Sequence, residues 1–109
     1  MESKSDLFSQ SSQEIAMAAK LLAHPARIAI LEFLGSQESC MTGSISDHIP
    51  LARTTVNQHL SALKEAGWIK GTVTGSKSNY CLDQQKINGD TEQLFAFLET
   101  CRSKTASNC

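Results

Sequence analysis

At 109 residues the chain has room for one domain and one modest core. Apolar residues make up 40% and charged residues 19%, an ordinary balance for a folded domain, with a net charge of −1. No run approaches the roughly 18 apolar residues of a membrane span, and the opening MESKSDLFSQSSQE has acids where a secretory signal needs an apolar stretch. The expected location is the cytoplasm, with no membrane partner. Four cysteines, Cys40, Cys81, Cys101 and Cys109, are widely spaced without a CxxC pair, so thiols at rest are expected.

Residues 1–12 are polar and rich in Ser and Gln, and read as a flexible tail. The folded domain is expected over 13–101, with a second flexible tail over 102–109. A first helix is predicted over 13–23, with Ile15, Ala18, Ala19 and Leu22 on one face. His24-Pro25 breaks it, and Pro25 suits the first position of a second helix. That helix runs to about Leu34, with Ile28, Leu31 and Leu34 expected inward and Gly35 closing it. Residues 39–42 form a short connector able to pair as a third strand beside a later hairpin. Thr42 is placed to cap a helix starting near Gly43.

Ile45 and Ile49 give a short helix one apolar stripe, and Pro50 ends it. The next helix is predicted over 53–66. Val56, Leu60 and Leu63 recur at i, i+4, i+7, and Gly67 stops it. Residues 68–74 turn to β-formers, 75–79 make a turn cluster with Lys77 at its tip, and 80–82 return as a strand. Residues 84–89 read as a loop. Asp90, with Gln93 three residues on, reads as the capping box of a last helix. Leu94, Leu98 and Cys101 form one stripe of that helix, flanked by Phe95 and Phe97, more apolar surface than the end of a small domain needs. The first and last helices are therefore candidates for a dimer interface.

Helix, turn, helix and a basic-tipped hairpin make a mainly α fold with a small β-hairpin wing, a winged helix-turn-helix. The outer face of the 53–66 helix carries Arg53, Thr54, Thr55, Asn57, Gln58 and Ser61, and no acid until Glu65. Short hydroxyls and amides can bond base edges, which suits a helix in a DNA major groove. A merely solvated face would carry more Glu and Lys. Asn57 and Gln58 match adenine, and Arg53 matches guanine or a phosphate. Thr54 and Thr55 complete the base-edge candidates. His59 is either a phosphate donor or a satisfied half-buried side chain. Lys64, Lys70 and Lys77 are phosphate candidates, although each also serves solubility. From residue 53 to 80 there are four cations (Arg53, Lys64, Lys70, Lys77) and one acid (Glu65), a local +3 on a chain of −1.

LLAHPARIAILEFL followed by ISDHIPLARTTVNQHLSALKEAGWIKG resembles the arsenic-repressor-like (ArsR/SmtB) transcriptional regulators, over about residues 15–98. HPARIAIL and TTVNQHLSALKEAGWI are its most specific parts. The resemblance implies a homodimer joined by the terminal helices, bound to a double-stranded operator. It also implies a repressor released when a metal or arsenic ligand binds. The family's Cys-x-Cys thiolate positions fall on Met41 and Gly43, and Cys40 falls on a position usually apolar. The zinc-type positions on the last helix offer Asp90, Glu92 and Glu99 and no histidine.

Three readings of the cysteines stay open. Cys40 and Cys81 could be cross-strand neighbours, and with Cys101 or Cys109 form a trigonal sulfur site for arsenite or another thiophilic ion. A pair could instead form a redox-switchable disulfide. Or each cysteine packs as a small hydrophobe. The chain is thus expected to be a regulator and not an enzyme, since no nucleophile, base and orienting group share a motif. A redox-responsive or effector-independent regulator with structural cysteines, or a winged-helix protein-interaction module, are the alternatives.

Overall fold

The computed structural model describes residues 7–37, 40–42, 45–74 and 77–104. In chain order these form α1 (Gln10–Leu21), α2 (Pro25–Gly35), β1 (Met41–Thr42), a short 3-10 helix (Ile45–His48), α3 (Arg53–Glu65), β2 (Ile69–Thr74), β3 (Lys77–Leu82) and α4 (Gln84–Arg102). The three strands make one antiparallel sheet in the order β1-β3-β2. The expected third strand beside the wing is therefore present. No helix among the described residues is long and apolar enough to cross a membrane.

Each helix begins where its local chemistry permits. The Ser9 hydroxyl accepts from the Ser12 amide, so α1 starts at Gln10, inside the stretch expected to be a tail. Pro25 opens α2, where its missing N–H costs nothing. Buried on α2 are Ile30 and Leu34; Ile28, expected inward, is exposed, and Leu31 is half-buried. The segment IAILEFL is apolar on most sides, so its period alone does not select a face.

A larger correction concerns α4. The predicted 84–89 loop is helical, and the cap is Asp83, whose carboxylate accepts from the Lys86 amide. Asn88-Gly89 resembles a turn, but a Cβ at Gly89 would meet nothing within 4 Å, so the glycine sits on the open side. Ile87 on the same turns packs against the core, and Thr91 and Leu94 are buried. That packing outweighs the roughly 1 kcal/mol helix penalty of one glycine. Asp90 is thus inside the helix, free for another role.

The core lies between α2, α3, the sheet and α4, with Ile30, Ile45, Val56, Leu63, Trp68 and Ile69 its most deeply buried side chains. Ala18 brings α1 onto it. Across the α1–α4 seam, the Ser11 hydroxyl donates to Gln93 Oε1 (2.7 Å), and Gln93 Nε2 donates to Glu14 Oε2 (2.6 Å). Two glycines are required. Gly67 closes α3 at φ +84°, a left-handed conformation that costs other residues energy. Gly71 on β2 faces Tyr80 in register, and a Cβ there would collide with the Asn79 carbonyl.

Trp68 is 1% exposed, and its indole N–H donates to Asp90 Oδ2 at 2.8 Å. Partial burial pushes the Asp90 carboxyl up, but hydrogen bonds from Lys86 and Trp68 outweigh it and hold the group below its ordinary 3.8. Asp90→Ala leaves the buried indole N–H without this partner, a cost of about 1–3 kcal/mol. Asp90→Asn keeps an acceptor and costs less. Urea denaturation at neutral pH measures both. A depressed carboxylate stabilises the fold fully above 3.8, and that share is lost as pH falls through the lower folded value. Asp90→Asn is therefore expected to flatten the acid limb of stability against pH.

Candidate nucleic-acid interface

The connection into α3 is short. Pro50 follows the buried Ile49, and the Leu51 amide donates to the Ile49 carbonyl at 2.8 Å. No side chain caps α3 and its first turn holds no acid, so its exposed amides and Arg53 make that end electropositive. Val56, Leu60 and Leu63 are 0%, 5% and 0% exposed, which seats α3 on the core and fixes its rotation. Arg53, Thr54, Asn57, Gln58, Ser61 and Lys64 are consequently exposed, and Thr55 is half-buried at the margin. Arg53, Asn57, Gln58 and Lys64 make no side-chain hydrogen bond or ion pair to another described residue. The structure thus gathers the expected recognition side chains on one free face. Lys70 is exposed on β2. Lys77 opens β3 opposite Thr74; its side chain, residues 75–76 of the expected turn cluster and the Thr42 hydroxyl lie outside the described part of the structure.

His59 sits at the inner edge of this face, half-buried. Its Nδ1 accepts from Arg27 Nε at 3.2 Å, and its ring lies 5.4 Å from that of His24. Acceptance at Nδ1 places the proton of the neutral ring on Nε2. Burial is the main reason its pKa falls below the ordinary 6.5, and the charge of Arg27 and the nearness of His24 add to it. Arg27 was legible in the sequence only as part of a family signature on a core helix. The fold turns it toward α3, a placement that helical periodicity does not carry.

Cys40 and Cys81 are joined by a disulfide, with Cα atoms 4.5 Å apart. This corrects the expectation of resting thiols: the register of β1 on β3 sets the two residues opposite one another. Cys101 is not with them. It is exposed near the end of α4, 17 residues beyond Gln84, or roughly 25 Å along the helix axis. Among the described residues no group of three or more His, Cys, Asp or Glu side chains could hold a metal ion. The Cys40, Cys81 and Cys101 sulfur site is therefore not assembled within this chain, because two of its sulfurs bond each other and the helix carries the third away. Cys109 lies outside the described residues.

A histidine held neutral in the fold and charged when unfolded makes the unfolded state bind more protons between the two pKa values. Stability is expected to be full above 6.5 and to fall as pH drops through the window below it. His59→Gln removes that titration, so its stability measured by urea between neutral and mildly acid pH should vary less than the parent's.

A family model described as "Helix-turn-helix domain" matches residues 22–71. The HTH-type transcriptional regulator CmtR of Mycobacterium bovis is 34% identical over 68 residues, 62% of this chain and 57% of that protein. The chain thus spans a little over half the length of this curated relative. A crystal structure of "ArsR family transcriptional regulator, RHA00566" superposes with a TM-score of 0.68 at 21% identity, covering 90% of this chain and all of that one. A "Possible transcriptional regulator for arsenical resistance" superposes at 0.58 with 26% identity, over 80% of this chain and 85% of the other. With its three-stranded sheet, its free α3 face and these likenesses, the chain has a winged helix-turn-helix fold similar to that of solved ArsR-family regulators.

Proposed function

We propose that this protein is a homodimeric transcriptional repressor that reads a double-stranded DNA operator in the cytoplasm and is released by an effector. The observation that carries the reading is the free polar face of α3, held outward by a fully buried stripe. Arg53, Thr54, Thr55, Asn57 and Gln58 read base edges, and Lys64 and Lys77 hold phosphates. His59 acts through Arg27, not as a base reader, since its Nδ1 is already engaged.

A dimer is supported by apolar surface at the two terminal helices. Phe95, Phe97 and Leu98 on α4 are 66%, 48% and 43% exposed, and Met17 on α1 is 64% exposed. Two copies related by a twofold axis present two α3 helices to half-sites about one helical turn, ~34–36 Å, apart.

Fluorescence anisotropy with promoter DNA from the protein's own operon tests the reading. Arg53→Ala and Asn57→Ala should each cost about 1–3 kcal/mol on the specific site and little on random DNA. Lys64→Ala should weaken both alike and lower the slope of log affinity against log salt by about 0.9. Equal binding to promoter and random DNA would sink the operator claim. Sedimentation equilibrium tests the assembly: the parent should be a dimer, and Phe95→Glu should shift it toward monomer and weaken operator binding with it.

A further inference from the structure

Cys40 stands immediately before β1, and Cys81 lies in β3. The antiparallel register Met41↔Tyr80, Thr42↔Asn79 continues to place them directly opposite, at the 4.5 Å Cα spacing of a pair not bridged by backbone hydrogen bonds. The disulfide spans a sequence separation of 41 residues. It ties the segment that leads into the helix-turn-helix to the wing strand. Apart from it, the ladder tying that segment to the wing is the two-residue β1.

The two cysteines are not equivalent. Cys40 is exposed and Cys81 is half-buried. Both line a recess of about 220 Å³ that also takes in Gln37, Tyr80, Leu82 and Gln84. Gln37 and Gln84 are exposed and offer amide donors and acceptors beside the disulfide. The volume is below the ~300 Å³ at which pockets for drug-sized ligands begin. It suits a small polar thiol.

We propose that Cys40–Cys81 is a thiol–disulfide exchange site for a low-molecular-weight thiol and its disulfide, and that its redox state sets how firmly the wing is tied to the DNA-reading helices. The thiolate attacks Sγ of Cys40, the more exposed residue of the pair. The Cys40–Cys81 bond breaks, and its electron pair leaves on Cys81 Sγ, which takes up a proton. A second small thiol attacks the outer sulfur of the mixed disulfide and releases Cys40 as a thiolate. Two small thiols are oxidised to one disulfide, and the protein disulfide is reduced to two thiols. A small disulfide drives the reverse. The oxidised form, with wing and helix-turn-helix tied together before they meet DNA, loses less freedom on binding and binds more tightly. This regulatory half rests on the operator reading proposed above.

The full chain is equilibrated in buffers of stepped ratios of reduced to oxidised glutathione, and each cysteine is mapped by alkylation and peptide mass. Cys40 and Cys81 should titrate together and reversibly, with Cys101 independent of them. In Cys81→Ser the glutathionyl adduct should form on Cys40; in Cys40→Ser little should form on Cys81. A pair that never bonds, that stays bonded at every ratio, or that takes adducts equally at both positions overturns the exchange site. Operator affinity of the two forms of the unmutated chain is then compared by anisotropy. The oxidised form should bind about tenfold more tightly, within the usual range of coupling between sites. Equal affinities, or tighter binding by the reduced form, overturn the regulatory half. If neither form prefers promoter over random DNA, the operator reading falls and takes the regulatory half with it, while the thiol map still judges the exchange chemistry.

Discussion

Trp68 is the point at which three elements of this small domain are held together. Its amide donates to the Leu63 carbonyl at the end of α3, and its carbonyl accepts from the Asp83 amide at the start of α4. Its indole N–H reaches Asp90, two turns into α4. The ring itself is 1% exposed. Burial of so large a ring contributes several kcal/mol at about 25 cal/mol per Å². A buried indole N–H without a partner would give part of that back, which is why Asp90 matters more than its exposed ion pair with Lys86. One residue, through its backbone and its ring, thus links the end of α3, the start of β2 and the seat of α4.

The free polar face of α3 follows from that arrangement. With Gly67 turning the chain at positive φ and Trp68 anchored behind it, α3 cannot rotate without exposing Val56, Leu60 and Leu63. The polar residues between them are left outside by geometry. Arg27 and His59 add a second constraint from α2, joining the two helices at the edge of that face. The wing shares this frame, because β2 starts at Ile69, the residue after Trp68. The Cys40–Cys81 bond then closes the frame from the other edge of the sheet, through β1.

The two ends of the chain have a different character. α1 and α4 meet through a polar seam of Ser11, Glu14 and Gln93, while Phe95, Phe97 and Met17 stay in solvent. The seam orients the helices and contributes little net energy, since exposed polar bonds compete with water. The core around Trp68 holds the fold, and the outer turns of α4 leave Phe95, Phe97 and Leu98 exposed.

Much of this is legible in the sequence. The i, i+4, i+7 spacing of α3 determined both its buried stripe and its polar face, because one period decides both sides of a helix. Pro50, Gly67 and the run of β-formers after it determined the order helix, helix, wing. Local signals failed where they conflicted with packing. Asn88-Gly89 looked like a turn, yet Ile87, Thr91 and Leu94 needed the helix to continue. IAILEFL was apolar on too many sides to choose a face, and contact with α3 and the sheet chose Ile30 over Ile28. Whether Cys40 and Cys81 meet depended on a strand register between residues 41 apart, and the pairing of Arg27 with His59 on the crossing of two helices. Sequence determines periodicity and punctuation because these are properties of neighbours along the chain. Pairings between distant residues are decided by tertiary structure, because only the packed core sets one element's register against another.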